Sequence, residues 1–178
     1  MSIPDGDLQY ITSLEEISWG ATLVAVTLAM HGVGMVGTLA VSDRLKLVFA
    51  ARRSFIRGIA VIILASWMII LVHLVEVFVW AEFFLWCGAM PTASRSYYFA
   101  LMDYTTLGCE FNLPLRWRLL EGMIAIGGLM TFAWSTGVLF TMAQDFQDQE
   151  LQLVKRRRQK RAQQPAPPPV HGSGEIPG

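Results

Sequence analysis

The chain is poor in charge and in cysteine. Only 16% of its 178 residues are charged, and just two, Cys87 and Cys109, are cysteines. So few cysteines exclude a disulfide-rich secreted scaffold. No glycine-rich phosphate loop and no nucleophile–base pair stands out, so the chain is not expected to be an enzyme. No Lys or Arg precedes Arg44. The N-terminal segment therefore lacks the basic n-region of a cleaved signal peptide, and the first apolar run is expected to be retained.

What the chain has instead is long apolar runs. Over half of it, 53%, is hydrophobic. A membrane-spanning helix needs roughly 20 apolar residues at about 1.5 Å of rise each. Residues 19–41, 58–86 and 119–142 meet that requirement. The expected class is an all-α membrane protein with three transmembrane helices.

The net charge is zero, but the 14 basic residues fall into three groups. Arg44, Lys46, Arg52, Arg53 and Arg57 lie between the first and second runs. Arg95, Arg116 and Arg118 lie between the second and third. Lys155, Arg156, Arg157, Arg158, Lys160 and Arg161 follow the third. The positive-inside rule then places the N-terminus and the second connection outside, and the first connection and the C-terminus in the cytoplasm. A multi-pass protein of the cell (inner) membrane is expected. Three spans weigh against a nucleic-acid partner.

Four segments follow. Residues 1–18 form an outer arm, with a capping-box pattern at Ser13 and Glu16. Residues 19–57 hold the first span and an amphipathic basic connection suited to anionic lipid. Residues 58–145 hold the second and third spans and the segment between them. Residues 146–178 are a basic, then proline-rich cytoplasmic tail, expected to be disordered from Gln163.

Inside the spans stand His31, His73 and Glu76. His73 and Glu76 are three apart and share a helix face. Counted from Trp19 and Trp86 at the outer ends, His31, His73 and Glu76 lie at depths of about 18, 20 and 15 Å. They are expected to meet at one level between the first two helices. An unpaired carboxylate there costs several kcal/mol, so Glu76 needs a partner, with His31 the first choice. Two histidines and one glutamate are a thin ligand set for a metal. The cluster is therefore taken as a polar clamp between helices, with proton or metal handling as the functional alternative, and no resident metal is expected.

Residues 94–118 contain a short amphipathic stretch that Thr92 or Ser94 can cap, ending in Thr105, Thr106, Leu107 and Gly108. Gly88 and Pro91 end the second span before it. The order of spanning helix, short helix, threonine–glycine loop and spanning helix resembles the pore unit of tetrameric potassium-type channels. It is most similar to the small bacterial channels whose filter reads T-T-L-G-Y-G-D. Here those positions read T-T-L-G-C-E-F. Further motifs extend the resemblance over residues 70–142: His73 with Glu76, Trp80-Ala81, the run Leu113 to Arg118, and Phe132-Ala133-Trp134-Ser135-Thr136.

The resemblance implies a homotetramer with a re-entrant pore helix, and a cation pathway along Thr105, Thr106, Leu107 and Gly108. Its permeant ion would be monovalent, potassium by type, with no cofactor. Cys109 stands where the family has its bracing aromatic, and Glu110 where it has its second glycine. Four copies of Glu110 would ring the outer mouth and relax selectivity. Gly127 and Gly128 would give the third span a hinge, or else a close packing contact. A non-conducting channel-like subunit that binds other membrane proteins is the alternative. Whether Cys87 and Cys109 pair is left open by their spacing.

Overall fold

The computed structural model describes residues 10–49 and 55–163. Among these residues the secondary structure is helical. Helix α1 is Leu14–Phe49, α2 is Phe55–Trp86, α3 is Ala93–Tyr104 and α4 is Leu119–Ala162. A single 3-10 turn, Leu115–Trp117, precedes α4. Three segments are long and apolar enough to cross a membrane: Leu14–Val48, Ile56–Trp86 and Leu115–Arg156. Three such segments are consistent with a multi-pass membrane protein.

The helices begin and end for local reasons. Ser13 Oγ accepts the Glu16 amide at 3.1 Å, an N-cap for α1. The reciprocal half of a capping box is replaced by a tertiary bond. The buried Glu16 carboxylate reaches across to the Leu119 amide at 2.5 Å, so it caps the start of α4 instead. Next to it, Glu15 and Arg116 form a two-pronged ion pair, each contact 2.9 Å. Helix α2 stops at Trp86, and Gly88 takes a positive φ of 70°, a conformation that suits a residue without Cβ. Thr92 caps α3 by accepting the Arg95 amide at 3.3 Å.

The first helix is longer than the apolar run alone implies. Residues 42–49, expected in the basic connection, continue α1, and α2 begins at Phe55. Charged side chains such as Arg44 and Lys46 do not break a helix; they only end its apolar surface. Residues 50–54, with Arg52 and Arg53, lie outside the described residues, as do residues 1–9 and 164–178.

The burial pattern is inverted relative to a water-soluble bundle. The buried stripe of α1 is Glu16, Gly20, Leu23, Thr27, His31, Met35, Thr38 and Ser42. Its three- and four-residue spacing is one helix face, and it is half polar. The opposite face is apolar and exposed, with Val33 at 75% and Val36 at 68%. Hydroxyls on the buried stripe are satisfied within the helix: Thr27 donates to Leu23 O, Thr38 to Gly34 O and Ser42 to Thr38 O. That inversion fits a solvent of lipid tails.

The chain divides into two units, Met1–Ala143 and Gln144–Gly178. In the first, α3 folds back along α2 from the end of α2. Ser96 Oγ donates to Ala81 O at 2.5 Å, the Phe99 ring meets Phe84 edge-on at 5.4 Å, and Tyr104 reaches Glu76. Trp80, Phe84, Phe99, Leu113, Trp117, Leu120 and Ile124 form the buried apolar layer around this return. In the second unit the described residues are helical through Ala162, and Lys155, Arg156 and Arg158 are exposed.

Candidate functional site: a buried polar ring and the loop beside it

His31, His73 and Glu76 do come together, and all three are buried. His31 Nδ1 lies 3.0 Å from Glu76 Oε1. His73 Nδ1 lies 3.4 Å from Glu76 Oε2. The short helix adds a fourth member, because the Tyr104 hydroxyl bonds to Glu76 Oε2 and stands 2.9 Å from His73 Nδ1. Helix α4 adds a fifth: Ser135 Oγ is 3.1 Å from His31 Nε2 and 3.0 Å from His73 Nε2. The contacts close a ring from Glu76 through Tyr104, His73, Ser135 and His31 back to Glu76.

The ring touches all four helices. The Thr131 hydroxyl, also on α4, sits 2.6 Å from the Tyr104 hydroxyl. One turn along the bundle the Trp80 indole donates to Thr27 Oγ1 at 2.9 Å. The backbone makes room for this arrangement at Gly128, where a Cβ would stand 2.0 Å from Tyr104 O. Gly34 is also close to a neighbour, a Cβ there falling 2.6 Å from the Val72 side chain. Every buried side-chain nitrogen and oxygen among the described residues has a partner. A polar cluster so placed is tolerable only on that condition.

Tyr104, Thr131 and Ser135 escaped the sequence reading as members of this site. One signal was available for two of them: Thr131 and Ser135 are four apart on α4, hence on one face. Tyr104 gave none, since a terminal tyrosine on an amphipathic helix reads equally well as an apolar wedge. Met130 and Trp134 on α4 are both about half exposed, at 52% and 47%. The Trp134 ring also leans on His31, with centroids 5.5 Å apart. Gly127 and Gly128 are both buried.

Directly after Tyr104 the chain leaves the helix. The amides of Thr105 and Thr106 bond back to Leu101 O and Asp103 O, and those of Leu107 and Gly108 to Met102 O, all within 3.2 Å. Thr106 has a φ of 61° and Gly108 of 69°. Among the described residues no hydrogen bond ends on the carbonyls of Thr105, Thr106, Leu107 or Gly108. Thr106, Gly108 and Glu110 are exposed, and Leu107 is 73% exposed. Cys109 is half-buried, its thiol 3.3 Å from Phe111 O, and Cys87 is likewise a free thiol. Burial raises both thiols above the ordinary range.

Behind the loop lies a cavity of about 250 Å³, lined among others by Asp103, Thr106, Cys109, Asn112 and Glu121. Burial, and then the nearby Glu121, pushes the Asp103 carboxyl up to about 6. Glu121 itself accepts the Leu113 amide at 2.6 Å.

Comparison with protein-family models, with curated proteins and with solved structures finds no match to this chain.

Proposed function

We propose that the chain is a subunit of a cation channel, four copies of which enclose a pore lined by Thr105, Thr106, Leu107 and Gly108. The observation that carries this reading is the return of α3 along α2. Glu76 stands ten residues before Trp86, where α2 ends, which at about 1.5 Å each is roughly 15 Å into the span. Tyr104 is bonded to Glu76, so the residues after Tyr104 begin at that depth. Irregular, exposed backbone at membrane depth is tolerated only against other protein or beside water. A pore on a symmetry axis supplies both. The amides of this loop are engaged by α3 and its carbonyls are not, the arrangement a cation pathway needs. The axis of α3 adds to it: its C-terminal, partially negative end points to the same place.

In this reading the N-terminus is outside and the basic C-terminal segment cytoplasmic, as the distribution of Lys and Arg requires. Glu110 forms a fourfold carboxylate ring at the mouth, and selectivity for potassium is relaxed because Cys109 and Glu110 replace an aromatic and a glycine. The same two replacements support a second reading, a channel-like subunit that does not conduct.

The test is cation flux through the purified protein in liposomes, with potassium, sodium and calcium compared. Flux of more than one cation, altered by Glu110→Gln, is the expected result. Absence of flux from a folded tetramer overturns the first reading in favour of the second, and a folded monomer with no flux overturns the pore itself.

A further inference from the structure

The buried ring does more than join helices. We propose that His31, His73, Glu76 and Tyr104 are a binding site for one divalent transition-metal ion of the zinc class, inside the helix bundle. The inference concerns residues other than the loop and stands whether or not the loop conducts.

Both histidines turn Nδ1 to one carboxylate, His31 at 3.0 Å from Oε1 and His73 at 3.4 Å from Oε2. The Tyr104 oxygen is 2.9 Å from His73 Nδ1. A tetrahedral ion bound at about 2.0–2.1 Å separates its ligand atoms by roughly 3.3 Å. The donors are thus already spaced on the scale of a coordination shell, and those of His31, His73 and Glu76 all lie within 4.8 Å of one another.

The far sides of the two imidazoles also share one partner. Both Nε2 atoms converge on the single Ser135 hydroxyl, at 3.1 and 3.0 Å. A hydroxyl oxygen has two lone pairs and can accept from both N–H groups at once. In that tautomer both Nδ1 atoms are bare and face Glu76, so the space between them calls for a positive charge, which a proton or a metal ion can supply. Metal-bound histidines are characteristically oriented by a bond from their other nitrogen, and here one residue orients two.

The donor chemistry selects the ion. Two imidazoles, a carboxylate and a phenol suit zinc, cobalt, nickel or copper; calcium and magnesium prefer oxygen-only shells. The sequence alone offered three ligands, and folding brings the fourth. Ligation needs a carboxylate and two unprotonated Nδ1 atoms, so a proton shared within the ring must leave when the ion enters. Entry of the ion expels one proton while Tyr104 keeps its own, and a second if Tyr104 binds as tyrosinate. In the latter state the two anionic ligands balance the double positive charge, which favours it in an apolar interior. Affinity therefore rises with pH.

The experiment is a titration of chelator-stripped protein in nanodiscs with cobalt(II), followed by zinc displacement and elemental analysis. Expected are one ion per chain, the visible absorption of tetrahedral cobalt, and loss of both in His73→Gln and in Glu76→Gln. Ser135→Ala should weaken binding by about 10–100-fold without changing stoichiometry. Tyr104→Phe should keep the ion and shift the cobalt spectrum. Thermal unfolding of each unmetallated variant establishes that it folds; where Glu76→Gln does not, His31→Gln serves. Binding that survives His31→Gln and His73→Gln in folded protein overturns the proposal. So does binding that depends on His171 or on Cys87 and Cys109, or no binding by folded wild type, which would leave the ring a proton-bonded clamp.

Discussion

The buried interior of this protein has two neighbouring layers built on different physics. In the apolar layer, Trp80, Phe83, Phe84, Phe99 and Trp117 meet through tilted and edge-on ring contacts. In the polar layer, Glu76, Tyr104, His73, Ser135 and His31 meet through directed bonds. In water the first layer would supply nearly all the stability. In lipid, leaving one apolar environment for another gains little, so aromatic packing there contributes shape and dispersion rather than hydrophobic free energy. The polar layer has the opposite property. Each of its groups loses heavily when a partner is removed, because no water is at hand to replace it. The fold of α3 against the other helices is thus expected to depend more on a few polar atoms than on the larger aromatic surface.

Removing the hub of the ring should have the largest effect. Glu76→Ala leaves His31 and Tyr104 without their shared partner and is expected to cost about 4 kcal/mol. Glu76→Gln, which keeps a donor and an acceptor, should cost well under half of that. Unfolding in mixed detergent micelles measures both, and equal losses would show that charge, not bonding, holds the ring. The matching cut in the apolar layer is Phe99→Ala, expected at about 3 kcal/mol. A loss greater than that of Glu76→Ala would reverse the ranking of the two layers.

Between the layers lies the contact of Gly128 with Tyr104 O. Gly128→Ala forces α3 and α4 apart and should cost about 2 kcal/mol, with the Tyr104 environment disturbed in near-ultraviolet dichroism. A neutral Gly128→Ala would mean that this approach is easily relaxed and that the ring, not the glycine, sets the spacing. At the end of α1, loss of the cap in Ser13→Ala should cost about 1 kcal/mol, measured in the same unfolding assay.

A pH dependence centred on Asp103 is expected as well. Its carboxyl is raised from 3.8 to about 6, so the folded state holds the proton more tightly than the unfolded chain does. The stability this contributes is complete below about 3.8 and is lost as pH rises through about 6. The melting temperature of the wild type should fall across that window, and Asp103→Asn should flatten the fall. A profile rising with pH in the wild type would contradict the sign.

Some of this was open to inspection in the chain itself. Apolar runs of spanning length, Ser13 and Thr92 before helical segments, and Gly88 after one are signals carried by neighbours in sequence, and the helices follow them. The meeting of His31, His73 and Glu76 was legible too, because rise per residue converts sequence distance into depth. What escaped were contacts whose partners lie far apart in the chain. Glu16 looked like half of a capping box, yet its carboxylate bonds the amide of Leu119. Tyr104 looked like an apolar wedge, yet its hydroxyl completes the ring.

Sequence by itself determined that the chain has three helices able to cross a membrane, and it determined the level of the polar groups along them, since hydropathy and helical rise are local properties. Tertiary structure alone decided which faces of those helices meet. That choice depends on α3 folding back along α2 and on the close approach at Gly128, which brings Tyr104 and Ser135 to the two sides of the histidine pair. Rotation of a helix about its own axis leaves its hydropathy unchanged, so the angle is selected by close packing and by the satisfaction of buried polar atoms.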